Sequence, residues 1–241
     1  MKTLKPFTLV FAALLCAVSS SAQSADEIIS KYIQAIGGKE KLSTITSVYT
    51  ESTMDVMGMQ GTIKTTTLNG KGIRQDMDIM GSIISTCYTD KGGWSLNPMT
   101  GSYSAEAMPE QQYNSGKDQI HVGGQFLDYA EKEYTAELLG TDTVANVAAF
   151  KVRMIQPDST SALYFFDSNT FFLVYSIQQS EMQGQITTNE ITFSDYKDIE
   201  GYFIPHQLDM SMADGQFTMA MTVTKVELNN PVDETIFNKP Q

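Results

Sequence analysis

The first readable pattern along the chain is that of a helix. Ser24 stands ahead of Asp26 and Glu27, an N-cap serine followed by acids that favour a first helical turn. Ile28, Ile29, Tyr32, Ile33 and Ile36 then recur at helical spacing, and Gly37-Gly38 ends the element. Lys39 to Leu42 read as a short further turn. From Ser47 the period changes to two: Val48, Thr50, Ser52, Met54 and Val56 share one face, while Tyr49, Glu51, Thr53 and Asp55 share the other. In Ile73 to Ile79 the apolar Ile73, Met77 and Ile79 oppose Arg74, Asp76 and Asp78. Turn residues at Gly58–Gly61, Asn69-Gly70, Gly81 and Gly92-Gly93 separate these runs, which is the pattern of an antiparallel meander with one apolar face.

The alternation stops between Met99 and Tyr129. Pro109-Glu110-Gln111 reads as the first turn of a helix, and Gln125 to Glu133 as a second short helix. Strands resume at Tyr134. Phe150, Val152 and Met154 alternate with Lys151 and Arg153, and further runs follow at Leu163–Phe166, Phe171–Ile177, Ile186–Tyr196, Phe203–Met212 and Phe217–Leu228. About ten or eleven strands are expected, with no repeat and no linker. The expected architecture is mainly β with an α lid (α+β): an incomplete, strongly curved antiparallel barrel whose concave apolar face is covered by helices. Residues 23–241 are expected to make a single domain.

The first 22 residues read as an address. Lys2 and Lys5 precede the apolar run Phe7 to Val18, and Ser19-Ser20-Ser21-Ala22 supplies small residues for a signal peptidase. Leu15 ahead of Cys16 is too large for a lipoprotein-type signal, so a soluble periplasmic protein is expected rather than a lipid-anchored one. The whole chain of 241 residues carries 28 acidic and 16 basic side chains, a net charge of −12; loss of Lys2 and Lys5 takes it to −14. A chain so acidic is repelled by phosphate backbones and anionic headgroups, which excludes nucleic-acid binding and favours a monomer. After cleavage Cys87 is the remaining cysteine, so no intramolecular disulfide forms. Cys87 lies in a strand-like run and reads as a small buried hydrophobe.

Catalytic patterns are scarce. The two histidines, His121 and His206, are far apart, and the chain has no HExxH, no GxSxG elbow, no Walker loop and no GxGxxG. Asp76 and Asp78 share the charged face of a strand and read as solvated. No enzyme activity, metal or cofactor is expected. The methionines carry more information, because a flexible, polarizable side chain suits surfaces that accept varied apolar shapes. The expected lining of an apolar cavity and its lid is Met54, Val56, Met77, Ile79, Trp94, Phe126, Phe150, Val152, Met154, Phe165, Phe193, Leu208, Met210, Met219 and Met221.

Four strings, in order, resemble one family: ADEIISKYIQAIGGKEKL, YTDKGGWSLNPMTG, FSDYKDIEGYFIPHQLDM and VELNNPVDETIFNKP. They are similar to the LolA-like outer-membrane lipoprotein-sorting proteins of Bacteroidetes. The resemblance implies a half-open barrel with a helical lid over a cavity that receives acyl chains of lipoproteins crossing the periplasm. In the LolA carrier a basic residue on an inner strand helps govern release. Here Arg74 and Arg153 are expected to point outward, and no such residue is carried over. The expected function is therefore a binding or carrier protein for a lipid, acyl chain or lipidated protein, working with envelope transfer partners. The alternatives are a non-catalytic envelope sensor or interaction module on the same fold and, less supported by the residues, a hydrolase.

Overall fold

In the structure, a computed structural model that describes residues 23–182 and 185–240, every strand joins one 13-stranded sheet. The expected leader, residues 1–22, lies outside the described residues. Two helices come first: α1 (Ala25–Ala35) and α2 (Gly38–Thr44). Ser24 caps α1 by accepting from the Glu27 amide at 3.1 Å, and Ile28, Ile29, Ile33 and Ile36 are buried. The backbone then reverses through Gly37, whose φ of 134° and closeness to the Gly201 carbonyl leave no room for a side chain.

The strands are β1 (Ser47–Val56), β2 (Met59–Leu68), β3 (Gly72–Ile79), β4 (Ser82–Thr89), β5 (Gly92–Leu96) and the two-residue β6 (Glu106–Ala107). After a long connection follow β7 (Thr135–Val144), β8 (Val147–Ile155), β9 (Ser161–Asp167), β10 (Leu173–Met182), β11 (Gln185–Ile199), β12 (Tyr202–Met212) and β13 (Phe217–Leu228). Neighbours in sequence pair as antiparallel hairpins, and β1 pairs with β13 in the middle of the sheet. Strands β6 and β7 form the two edges and do not pair with each other, so the sheet stays open. The count exceeds the expected ten or eleven, and the two-residue β6 falls in the stretch read as strandless.

Residues 108–134 connect one edge of the sheet to the other and therefore cross its face. This segment carries α3 (Glu110–Gly116), which starts after Pro109 as expected. The helix expected over Gln125–Glu133 is instead a 3-10 turn at Gly124–Phe126 followed by turns. Gly123 and Gly124 both take positive φ there, a backbone that no continuous helix tolerates.

The main core lies between this cover and the sheet. Ile28, Ile29 and Ile33 of α1 meet Val122 and Phe126 of the crossing segment and Val152, Met154, Tyr164 and Phe166 of the strands. Phe126 sits edge-on to Tyr32, Tyr164 and Phe166, with ring centroids 4.9 to 5.5 Å apart. The opposite face is covered at β2–β5 by the C-terminal segment. There Cys87, Trp94 and Phe237 pack together, and the Trp94 indole N–H donates to the Phe237 carbonyl at 2.8 Å.

Candidate functional site

Strand register assigns each expected cavity residue to a face. Val48, Met54 and Val56 fall on the same side of the unbulged β1, and Val48 packs against the helix-covered core. Met54 opposes Met221, Leu208 opposes both Met221 and Phe193, and Met210 opposes Met219. The methionine positions and the helix-covered core thus lie on one continuous face. That face divides in two.

Toward the α1 end it is filled. Phe126, Phe150, Val152, Met154 and Phe193 belong to the main core, where Phe126 packs edge-on against Tyr164 and Phe166. Toward the other end, Met54, Val56, Met77, Ile79, Met210, Met219 and Met221 form a second cluster together with Ile63, Ile84 and Met212. Neither helix nor crossing segment belongs to that cluster. Met54, Ile79 and Met219 are buried, whereas Met77, Met210, Met212 and Met221 are half-buried and reach the surface. The hairpin tips beyond them carry Met57 and Met80, 61% and 84% exposed.

Two of the expected residues do not lie on this face. Trp94 opposes Cys87 on the far side of the sheet, beneath the C-terminal segment, and Arg74 stacks over its ring at 5.5 Å. Phe165 alternates with the inward Tyr164 and Phe166; it is fully buried on the opposite face beside Tyr175 and under the Lys151 ammonium. The two misplacements share one contributing cause. The opposite face is also covered in places, so its residues are as apolar as those of the core. The outward directions of Arg74 and Arg153 hold: Arg74 donates to the Ile236 carbonyl and pairs with Asp76, and Arg153 pairs with Glu137.

The cover is fastened at both of its shoulders. The Tyr129 hydroxyl donates to Asp26 of α1, and the Lys39 ammonium of α2 holds Asp128 at 2.6 Å. Tyr134 donates to Asp118, while the Lys132 ammonium donates to the Gly124 carbonyl at 2.8 Å and lies 3.7 Å from Asp118. Burial lowers the pKa of Lys132 against the pull of Asp118, and burial likewise lowers that of His121. Burial and the bond to Asp26 push the Tyr129 phenol up to about 12. None of these groups lies at the methionine cluster, and they serve the anchoring of the cover.

The remaining polar candidates are structural. His206 is buried, its Nδ1 2.9 Å from the Ile204 carbonyl. Asp76 accepts from Arg74 and Ser85, and Asp78 accepts from the Gly81 amide at 2.8 Å. Cys87 is fully buried, and desolvation raises its thiol to about 12. Among the described residues no group of three or more His, Cys, Asp or Glu side chains is placed to hold a metal ion. An open groove of about 430 Å³ crosses strands β1, β13, β12, β11 and β10. Asp55, Tyr175, Glu190, Thr192 and Asp209 line it from the face opposite the cover, and of the expected cavity residues Met210 and Met219 border it.

No family model matches the chain, and no curated protein matches it. Solved structures do match. A LolA superfamily protein from Nitrosomonas europaea superimposes with a TM-score of 0.62 at 12% identity, over 90% of this chain and 99% of the other. The chain shares its fold with that protein. A protein domain from Vibrio parahaemolyticus named for outer-membrane lipoprotein sorting gives a TM-score of 0.59 at 14% identity, over 89% of this chain and 96% of the other. A DUF1329 family protein from Desulfovibrio piger gives 0.62 at 10% identity, covering 90% and 98%. At such identities what is shared is the LolA-like frame, an open curved sheet with a cover on one face. Among the described residues no helix is long and apolar enough to cross a membrane.

Proposed function

We infer that this protein is a non-catalytic binding or carrier protein of the periplasm for a lipid, an acyl chain or a lipidated protein. The observation that carries the reading is the division of one sheet face. A packed, fastened cover stands beside a methionine surface that is apolar, half-open and made of adaptable side chains. An acyl chain hides its methylene groups there at roughly 0.8 kcal/mol each, and unbranched thioether side chains follow its shape at little cost. The LolA-like fold supports a binding role, and the four family strings point to lipoprotein sorting through an envelope partner. The charge of −14 beyond residue 22 suits a soluble monomer that leaves anionic membranes unless a specific acceptor holds it.

Native mass spectrometry of the protein from its own envelope, followed by lipid extraction, tests this. A stoichiometric lipid or lipopeptide is expected. In the same assay Met210→Glu, at a half-buried position, abolishes uptake of an acylated peptide while the protein still melts cooperatively. A bare protein mass, with no uptake of added fatty acid or acylated peptide, overturns the reading.

A further inference from the structure

The methionine cluster has a chemistry that its apolar character hides. A thioether sulfur is a soft, neutral ligand, and soft ligands select copper(I) and its analogue silver(I) over hard divalent ions. Met54 and Met221 stand directly opposite each other on β1 and β13, and Met219 and Met210 do so on β13 and β12. Met219 and Met221 are two residues apart on one strand and share a face, as do Met210 and Met212. Directly opposed Cβ atoms in a sheet lie about 4.5–5.5 Å apart and diagonal ones about 7–8 Å, within reach of long side chains. Three thioethers from the adjacent strands β12 and β13, Met210, Met219 and Met221, therefore share one patch, with Met54, Met212 and Met77 packed at its margins.

Gly61 helps to shape the patch. It faces Met54 from β2, and a Cβ there would stand 2.5 Å from the Met54 methyl carbon, so the sulfur arm lies over the glycine. The flanks are Val56, Ile63, Ile79 and Ile84, which offer no oxygen ligand to a hydrated hard cation. Neutral sulfurs leave the charge of a monovalent ion uncompensated. On the reverse side of the same strands Asp55 adjoins Met54, Asp78 adjoins Met77 and Asp209 adjoins Met210, so the surrounding field disfavours anions and not cations. Among the described residues none of these three carboxylates is in an ion pair.

The geometry points to a thioether site for a soft monovalent cation, copper(I) or silver(I), built by Met210, Met219 and Met221, with Met54 packed at its border. The half-buried Met210 and Met221 give it access from solvent. This goes beyond the lipid reading and does not depend on it, because it uses the sulfur atoms and the lipid reading uses only apolar surface. Substitution by leucine separates the two: Leu keeps the volume and the apolar surface and removes the donor.

The test is competition for copper(I) between the purified protein and the chelator bicinchoninate under ascorbate, with silver(I) uptake followed by native mass spectrometry. One equivalent is expected. Loss of a merely supporting group costs a metal site about 10–100-fold in affinity, so Met210→Leu/Met219→Leu/Met221→Leu is expected to lose at least that much. That variant still melts cooperatively, as the unaltered protein does. The thiol-free variant Cys16→Ser/Cys87→Ser binds as the unaltered protein does. Copper K-edge absorption of the unaltered protein, which needs no variant to fold, shows sulfur neighbours. The proposal is overturned if no ion survives the chelator, if the leucine variant retains it, if the thiol-free variant loses it, or if the absorption edge reports only oxygen and nitrogen.

Discussion

The two halves of one sheet face make an instructive contrast. Near α1 the strands present Tyr164, Phe166, Val152 and Met154 to helices and to the crossing segment, and the rings interlock edge to face. At the far end β1, β3, β12 and β13 carry methionines instead, several of them half-buried at the surface. Aromatic side chains have fixed shapes and reward a single arrangement, whereas methionine accepts many. One half therefore holds the fold and the other is free to meet something else. A sheet pattern alone does not separate the two, since both halves are apolar at every second residue.

The contrast breaks most readily at Phe126. Replacing it with alanine removes a ring that contacts three others at 6% exposure, and a loss of about 3–5 kcal/mol is expected in urea unfolding. Met221→Leu, in the other half, is expected to cost less than about 1.5 kcal/mol. Similar losses for the two would erase the distinction. Gly61→Ala comes next. Its new methyl would stand 2.5 Å from the Asp78 carbonyl oxygen as well as from the Met54 methyl, so β3 must shift, for about 1–3 kcal/mol by the same unfolding assay.

Cys87 tests the opposite face. Burial raises its pKa from 9.0 to about 12, so the folded state keeps the thiol proton that the unfolded chain releases. Its contribution is complete below pH 9 and is lost as pH rises from 9 toward 12, at no more than about 1.4 kcal/mol per pH unit. Cys87→Ala is expected to flatten the alkaline fall in stability between pH 9 and 10. Rapid alkylation of the native thiol at pH 8 would contradict the burial.

The helix, the meander and the inward residues of β1, β3 and β8 were legible because their periods are unbroken. The cover was only partly legible. Pro109 announced α3, but Gly123-Gly124 converted the second expected helix into turns. Phe165 was placed on the wrong face because three successive aromatics, Tyr164, Phe165 and Phe166, carry no alternation. Trp94 was misplaced because β5 is short and glycine-led, and because the segment that buries it arrives from the far end of the chain. The meeting of methionines from β1, β12 and β13 depends on pairings between residues far apart in sequence, which no local pattern reports.

The pairing of β1 with β13 also governs the order of events in time. Thr46 bonds to Asn229 across 183 positions, and the seam they begin runs through the middle of the sheet. Every other pairing of strands closes a hairpin or a short loop, so each flank forms from local contacts. The central seam waits for the last strand, since contacts this distant are closed late and slowly. A chain still lacking its final residues holds two half-sheets, each with a bare edge at β1 or β12. The protein thus becomes whole only when its two ends find each other.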